Sequence, residues 1–468
     1  MKENLFKKFF SFSIGGYINI LIGLFFVPIV TRLISPEEYG IASLIIVIGN
    51  LLATISYLGL DLGFMRYFYD EKENNRGRLL FEVIYYPILI LIIIVFFIFI
   101  FREKISFFVV GNKKNLVWII IALYPFFIVI NRFSLLVIRM QQKAKLYSFF
   151  NILAKSIEVI MMLIFYKYYK NSYKVIILSL MTSLGISFLL AIVVEKEIWK
   201  FKGKIETNKN EILKYSLPFT FSTALTWILS SSDKFFIKSY SSLNELGLYA
   251  GAFKLISLLT IIQNGFYAFW SPVVYEKYSK NPENIVFFKK ATEYLSILFF
   301  SLGVVILSTK DIVIMLLGKN YYNSVFIVPM LVFIPIMQLI CVTTEIGIIL
   351  KKESKYFIYT SGLVAVINVI GNILLIPKLG AKGAAISTGI SYIILFYLRT
   401  YFSNKLINFG FDLKRIYLVI FLIFIYAMYL TFYNKIYFTI LGGFLLEILI
   451  LLIYLPILKN YKLENSKK

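Results

Sequence analysis

The feature that most constrains this chain is a succession of apolar blocks, each about 18 to 25 residues long and separated by short polar breaks. A helix needs that length to cross roughly 30 Å of hydrocarbon, where only a helix or a closed barrel satisfies its own backbone hydrogen bonds. Blocks at 9–33, 39–60, 79–101, 115–138, 146–166, 173–194, 212–238, 244–274, 291–309, 323–350, 355–376, 380–401, 414–433 and 437–458 predict about fourteen spans. A soluble domain could bury one such segment, not all of them. The longest hydrophilic stretch, roughly Glu195–Lys214, leaves no room for a soluble domain. With 59% hydrophobic and 16% charged residues, the chain departs from soluble composition in both directions. The expected fold class is all-α, a polytopic membrane bundle.

The run from Phe9 to Val30 is longer than a signal-peptide core and lacks a small-x-small cleavage site, so it reads as an uncleaved first span. One cysteine, Cys341, inside an apolar block, rules out disulfides and thiolate metal sites. Histidine is absent, which removes the commonest metal ligand and the side chain that titrates most readily near neutral pH. No metal or cofactor is expected. The net charge of +24 does not point to nucleic acid, because the basic residues sit in short loops between spans. With the N-terminus in the cytoplasm, inner segments carry about 31 Lys and Arg and outer segments about 14, the asymmetry of the positive-inside rule. Both termini then lie inside. Arg102–Lys114 and the Lys167–Lys174 turn run against the trend.

Two turns echo each other. Ile34-Ser35-Pro36-Glu37-Glu38-Tyr39-Gly40 aligns with Ser241-Ser242-Leu243-Asn244-Glu245-Leu246-Gly247 at an offset of 207, matching Ser35 to Ser242, Glu38 to Glu245 and Gly40 to Gly247. Gln142-Lys143-Ala144-Lys145-Leu146-Tyr147 aligns with Lys352-Glu353-Ser354-Lys355-Tyr356-Phe357 at 210. Together they suggest duplicated six-span halves, 1–205 and 206–405, with 406–468 an added pair of spans and a basic tail. An even number of spans makes the repeat parallel, its pseudo-twofold axis along the membrane normal.

These turns carry a resemblance. Pro28-x-x-Thr31-Arg32-Leu33-Ile34-Ser35-Pro36-Glu37-Glu38-Tyr39-Gly40 resembles the first hairpin of Wzx-type polysaccharide flippases. So do Leu217-Pro218, Ser231-Ser232-Asp233-Lys234 and the stretch from Asn244 to Lys254, and Ile376-Pro377-Lys378-Leu379-Gly380-Ala381-Lys382-Gly383 fits that family's link between spans 11 and 12. The likeness covers nearly the whole chain. It places the chain in the multidrug/oligosaccharidyl-lipid/polysaccharide exporter superfamily, with the MATE-type drug/cation antiporters and the lipid II flippases. The resemblance implies a flippase of the bacterial plasma membrane. It would move undecaprenyl-pyrophosphate-linked oligosaccharide to the outer leaflet for surface polysaccharide such as O-antigen or capsule, alongside other membrane proteins of that assembly.

Charges inside spans are costly and face a cavity or a partner. Arg132 in span 4, Lys155 and Glu158 in span 5, Asp233 and Lys234 in span 7 and Lys254 in span 8 are the candidates for a substrate cavity. Asp233 lies about ten residues before the Leu243 turn and Lys254 about eleven after it, which gives similar depth at 1.5 Å per residue. Arg132 and Glu158 stand in a similar relation, and Lys155 and Glu158 share a helix face. Either these are ion pairs between helices, or they line a cavity that holds a pyrophosphate of about two negative charges. Lys234 and Arg32 could equally snorkel, although the resemblance places spans 1, 2, 7 and 8 around the cavity and so favours Arg32. Arg66 is read as a cytoplasmic anchor or entrance residue, and Glu345 and Glu293 as interfacial. The expected mechanism is alternating access, driven by the membrane potential, by a proton on Asp233 or Glu158, or by Na⁺. A MATE-type antiporter would call for an acidic cavity, and a glycan polymerase for a large outer loop. No Asp-x-Asp pair and no Walker loop occurs, so the chain reads as a transporter and not an enzyme.

Overall fold

The computed structural model describes residues 25–257 and 285–465, with isolated positions at 18, 22, 23 and between 259 and 281; at 221, 222, 226, 229, 230 and 458–465 it describes the backbone alone. The described residues are helical or in turns, and they form two compact units, Met1–Lys234 and Phe235–Lys468.

In the first unit, α1 (Pro36–Tyr57) starts where the sequence supplies Pro at its first position and Glu37 and Glu38 in its first turn. Proline's fixed φ suits that position, and the two carboxylates meet the positive end of the helix dipole. The helix stops at Leu58 and Gly59, both left-handed (φ 48 and 67), and α2 (Leu60–Tyr67) restarts at once. A Cβ on Gly59 would lie 2.2 Å from the backbone oxygen of Ser216 in α8 (Lys209–Tyr240), so only glycine fits. Then follow α3 (Arg76–Ile100), the short α4 (Arg102–Val110), α5 (Val117–Met140), α6 (Ala144–Tyr169) and α7 (Tyr173–Val194). Phe64, Phe68, Leu80, Phe133 and Val137 form a core between α2, α3 and α5.

The second unit repeats the order after the end of α8: α9 (Leu243–Ser257), α10 (Ile285–Ser308), a short α11 (Lys310–Met315), then α12 (Val328–Leu331), α13 (Phe333–Thr344) and α14 (Ile346–Leu350) in place of one straight helix. Next come α15 (Lys355–Leu379) and α16 (Ala381–Leu406), and finally α17 (Leu413–Phe432) and α18 (Ile436–Asn465), with α18 packed along α10. The 3-10 segment Lys319–Phe326 meets Val328–Thr344 at 60°.

Local geometry recurs at the offsets the sequence shows. Gln142 and Lys352 both close their turns at φ 57. Lys170 (φ 50, ψ −134) ends α6 as Gly380 (φ 56, ψ −135) ends α15.

Ten of the described helices are long and apolar enough to cross a bilayer, eleven if the bent segment counts as one span. Each overlaps an expected block, with ends that agree to within about six residues. Expected spans 9–33 and 244–274 lie partly outside the described residues, and 212–238 corresponds to α8, which is not among the ten. On α3, Ile92, Ile93, Phe96 and Phe97 are all about half exposed. Water would not tolerate so continuous an apolar face, whereas lipid does. The protein is an all-α, multi-pass membrane protein.

Candidate functional site

Arg132 is placed by α5, seven residues past Pro125, on the face that carries Ile128 and Asn131. Its Nη2 lies 3.0 Å from Oδ2 of Asp61, an acid that the α1–α2 break sets in the first turn of α2. The Arg132 side chain remains 41% exposed, and it borders a cleft of about 270 Å³ shared with Tyr57, Asn131, Arg139, Tyr147 and Asn151. Oδ1 of Asn131 is buried on that wall without a hydrogen-bond partner among the described residues. Two arginines against one aspartate leave the cleft basic. Its chemistry suits an anion with several oxygens, which a guanidinium holds through paired hydrogen bonds.

The other expected residues separate. Lys155 Nζ donates to Glu158 Oε2 at 2.7 Å and also lies 4.5 Å from the centre of the Phe26 ring. Of the pairings open to Glu158, the structure takes the one along α6. Arg132 pairs with Asp61 instead. Asp233 and Lys234 are both buried in α8, Lys254 is exposed on α9, and Arg32 is exposed in the helical segment 25–33. Arg66 forms an exposed pair with Asp70 at 2.7 Å.

Asp61 was not singled out from the sequence. Nothing local announces it, because the glycine two residues before it shows itself as a helix end only through its backbone conformation. Glu345 differs more. It reads as interfacial, yet it is buried and its Oε2 accepts from Nη1 of Arg399 at 2.9 Å and from the thiol of Cys341 at 3.2 Å. The counter-charge that permits this burial stands 54 residues further on. The pair borders a second cleft, of about 390 Å³, inside the second unit.

A wider opening of about 590 Å³ lies among helix ends of the first unit, around Tyr69, Arg76, Lys143 and Glu195. Its charges already serve one another, Lys143 to Glu195 at 2.6 Å and Arg76 to Glu73 at 3.5 Å. Among the described residues no group of three or more acidic or cysteine side chains could hold a metal.

The sequence matches the polysaccharide biosynthesis protein family over residues 5–277. No curated protein matches it. Among solved structures, the lipid II flippase MurJ in its inward closed conformation is similar over 96% of this chain and 99% of its own, with a TM-score of 0.66 at 20% identity. A multidrug resistance MATE family transporter of the MOP superfamily is similar in two states. Its inward-facing conformation gives a TM-score of 0.59 at 14% identity, over 83% of this chain and 93% of its own. Its outward-facing conformation gives 0.55 at 13%, over 85% and 95%. At such identities the likeness establishes the fold, and the family match establishes the kin. The chain belongs to the polysaccharide biosynthesis protein family, and it has the fold shared by MurJ and the MATE transporters of the MOP superfamily.

Proposed function

We propose that this protein flips undecaprenyl-pyrophosphate-linked oligosaccharide from the inner to the outer leaflet of a bacterial plasma membrane by alternating access, for surface polysaccharide assembly. The observation that carries the reading is Arg132. A guanidinium within an apolar helix, shared with one aspartate and still open to a polar cleft, is costly unless something anionic uses it. A pyrophosphate of about two negative charges meets that requirement while its lipid tail stays in hydrocarbon. The basic balance of the cleft argues against a cationic drug as cargo.

In this reading the chain makes about fourteen spans, six and six with a terminal pair, and both termini are cytoplasmic. Arg32, Lys234 and Lys254 are further cationic contacts for the headgroup. Arg66 stands near the cytoplasmic entrance. Lys155, Glu158 and Asp233 are the remaining cavity residues, and a carboxylate among them could carry a coupling proton. The test is leaflet accessibility of the lipid-linked oligosaccharide in cells carrying Arg132→Glu, Arg32→Glu or Lys254→Glu. Arg132→Glu is expected to lower translocation about tenfold or more, the equivalent of one lost charge-assisted contact. Translocation that survives all three reversals overturns the reading.

A further inference from the structure

The two clefts occupy the same place in the two repeats. At an offset of 210, Ile128 corresponds to Gln338, Leu135 to Glu345 and Tyr147 to Phe357, each residue lining its own cleft. The chemistry, however, has been exchanged. The first cleft carries two arginines. In the second, Glu345 and Arg399 are the charged lining residues, and at 2.9 Å they cancel. Around them stand the amides of Gln263 and Gln338, the phenol of Tyr392 and the ring of Phe357, over which the Arg399 guanidinium lies at 5.0 Å. Nη2 of Arg399 donates to Ser361, and its buried Nε has no partner among the described residues.

We infer that the cleft of the second unit is a sugar-binding subsite, taking neutral sugar residues of the lipid-linked oligosaccharide whose pyrophosphate the first unit recognises. A neutral cleft has no net charge with which to select a phosphate. A planar amide, a carboxylate and a guanidinium side by side offer the alternating acceptors and donors that adjacent sugar hydroxyls require. Aromatic faces offer an apolar platform for the C–H face of a pyranose ring. The volume of about 390 Å³ lies in the range of small-molecule sites. The inference rests on the flippase reading and adds to it that recognition of lipid phosphate and recognition of glycan are divided between the repeats.

The test compares two probes bound to the full-length protein in nanodiscs: bare undecaprenyl pyrophosphate, and the same lipid carrying the repeat unit, purified from cells that make it. Gln338→Leu and Phe357→Leu keep the cleft filled with apolar side chains and leave the Glu345–Arg399 pair intact. Each is expected to weaken the glycosylated probe by about fivefold or more, the range for one lost hydrogen bond or stacking contact, and to leave the bare lipid unchanged. Unchanged binding of the glycosylated probe by both variants overturns the inference. So does equal weakening of both probes, which would mean that the cleft acts on the lipid or on folding. A wild type that binds both probes alike also overturns it while leaving the flippase reading in place. A wild type that binds neither removes both.

Discussion

Oε2 of Glu38 accepts a hydrogen bond from the backbone nitrogen of Tyr173 at 2.6 Å, so a carboxylate in the first turn of α1 closes the first turn of α7. Glu245, 207 positions later, does the same for Ala381 at 3.0 Å. The acid in each echoed turn is thus a cap supplied by a distant helix. It meets a backbone donor and the positive end of a helix dipole together. Glu38→Ala and Glu245→Ala are each expected to cost about 1–2 kcal/mol, and the corresponding Gln variants less, since an amide oxygen still accepts. Thermal unfolding in detergent checks both; equal stability of the Ala and Gln variants would count against capping.

The turns that follow α6 and α15 share one backbone conformation, but only the second has glycine. Lys170 adopts φ 50 with ψ −134, a region that disfavours a Cβ and costs of order 1–3 kcal/mol. Lys170→Gly should therefore stabilise the protein by about 1 kcal/mol, after the entropy that glycine adds to the unfolded chain. Gly380→Ala should destabilise it, since the new Cβ would lie 2.9 Å from Oε2 of Glu245. Paired melting curves of the two variants are the measurement, and a shift of the same sign in both would refute the account.

On the proposed reading, Asp61 competes with the pyrophosphate for Arg132, to which it is paired at 3.0 Å. Asp61→Asn leaves a hydrogen-bonding partner but removes the charge, so bare undecaprenyl pyrophosphate is expected to bind about tenfold tighter. Arg132→Gln should weaken it, and in the double variant the two effects should not add, because the residues share one contact. Binding isotherms decide this, and additive effects would show that the pair acts elsewhere.

Lys310, between α10 and the bent segment, is fully buried. Its Nζ donates to Oδ1 of Asn434 at 2.7 Å and lies 3.6 Å from Oδ2 of Asp311, while Asn434 also donates to Asp311 at 3.0 Å. Burial pushes the ammonium below the ordinary lysine value of 10.5, with Asp311 pulling the other way. The unfolded chain therefore binds the proton more tightly than the folded one. Between the lowered value and 10.5 the cost of burying the charge is relieved as pH rises. The wild type should gain stability relative to Lys310→Met as pH climbs through that window. A difference in melting temperature independent of pH there would contradict this.

Legibility follows the range of the physics. The apolar blocks are local, so the helices appear where hydropathy places them, α7 at 173–194 included. The echoed turns are local too. What sequence spacing supplies is depth, and depth does not say which way a side chain points around its helix. Arg132 and Glu158 match in depth, yet each finds a different acid or base: Asp61 lies 71 positions from Arg132, and Lys155 only three from Glu158. Glu345 misleads for the same reason, since nothing near it in sequence announces Arg399. The break between α1 and α2, at the end of the expected span 39–60, hides in Leu58-Gly59, a pair that reads as ordinary membrane sequence until its backbone conformation is seen.

That break has a mechanical consequence. Gly59 and, one turn later, Gly63 both press on Ser216: added Cβ atoms would lie 2.2 Å from its backbone oxygen and 2.3 Å from its hydroxyl. With no slack for even a methyl group, the chain around α2 meets the opening turns of α8 backbone against backbone. A displacement of α2 toward α8 therefore has no gap to close and must push the head of α8 ahead of it.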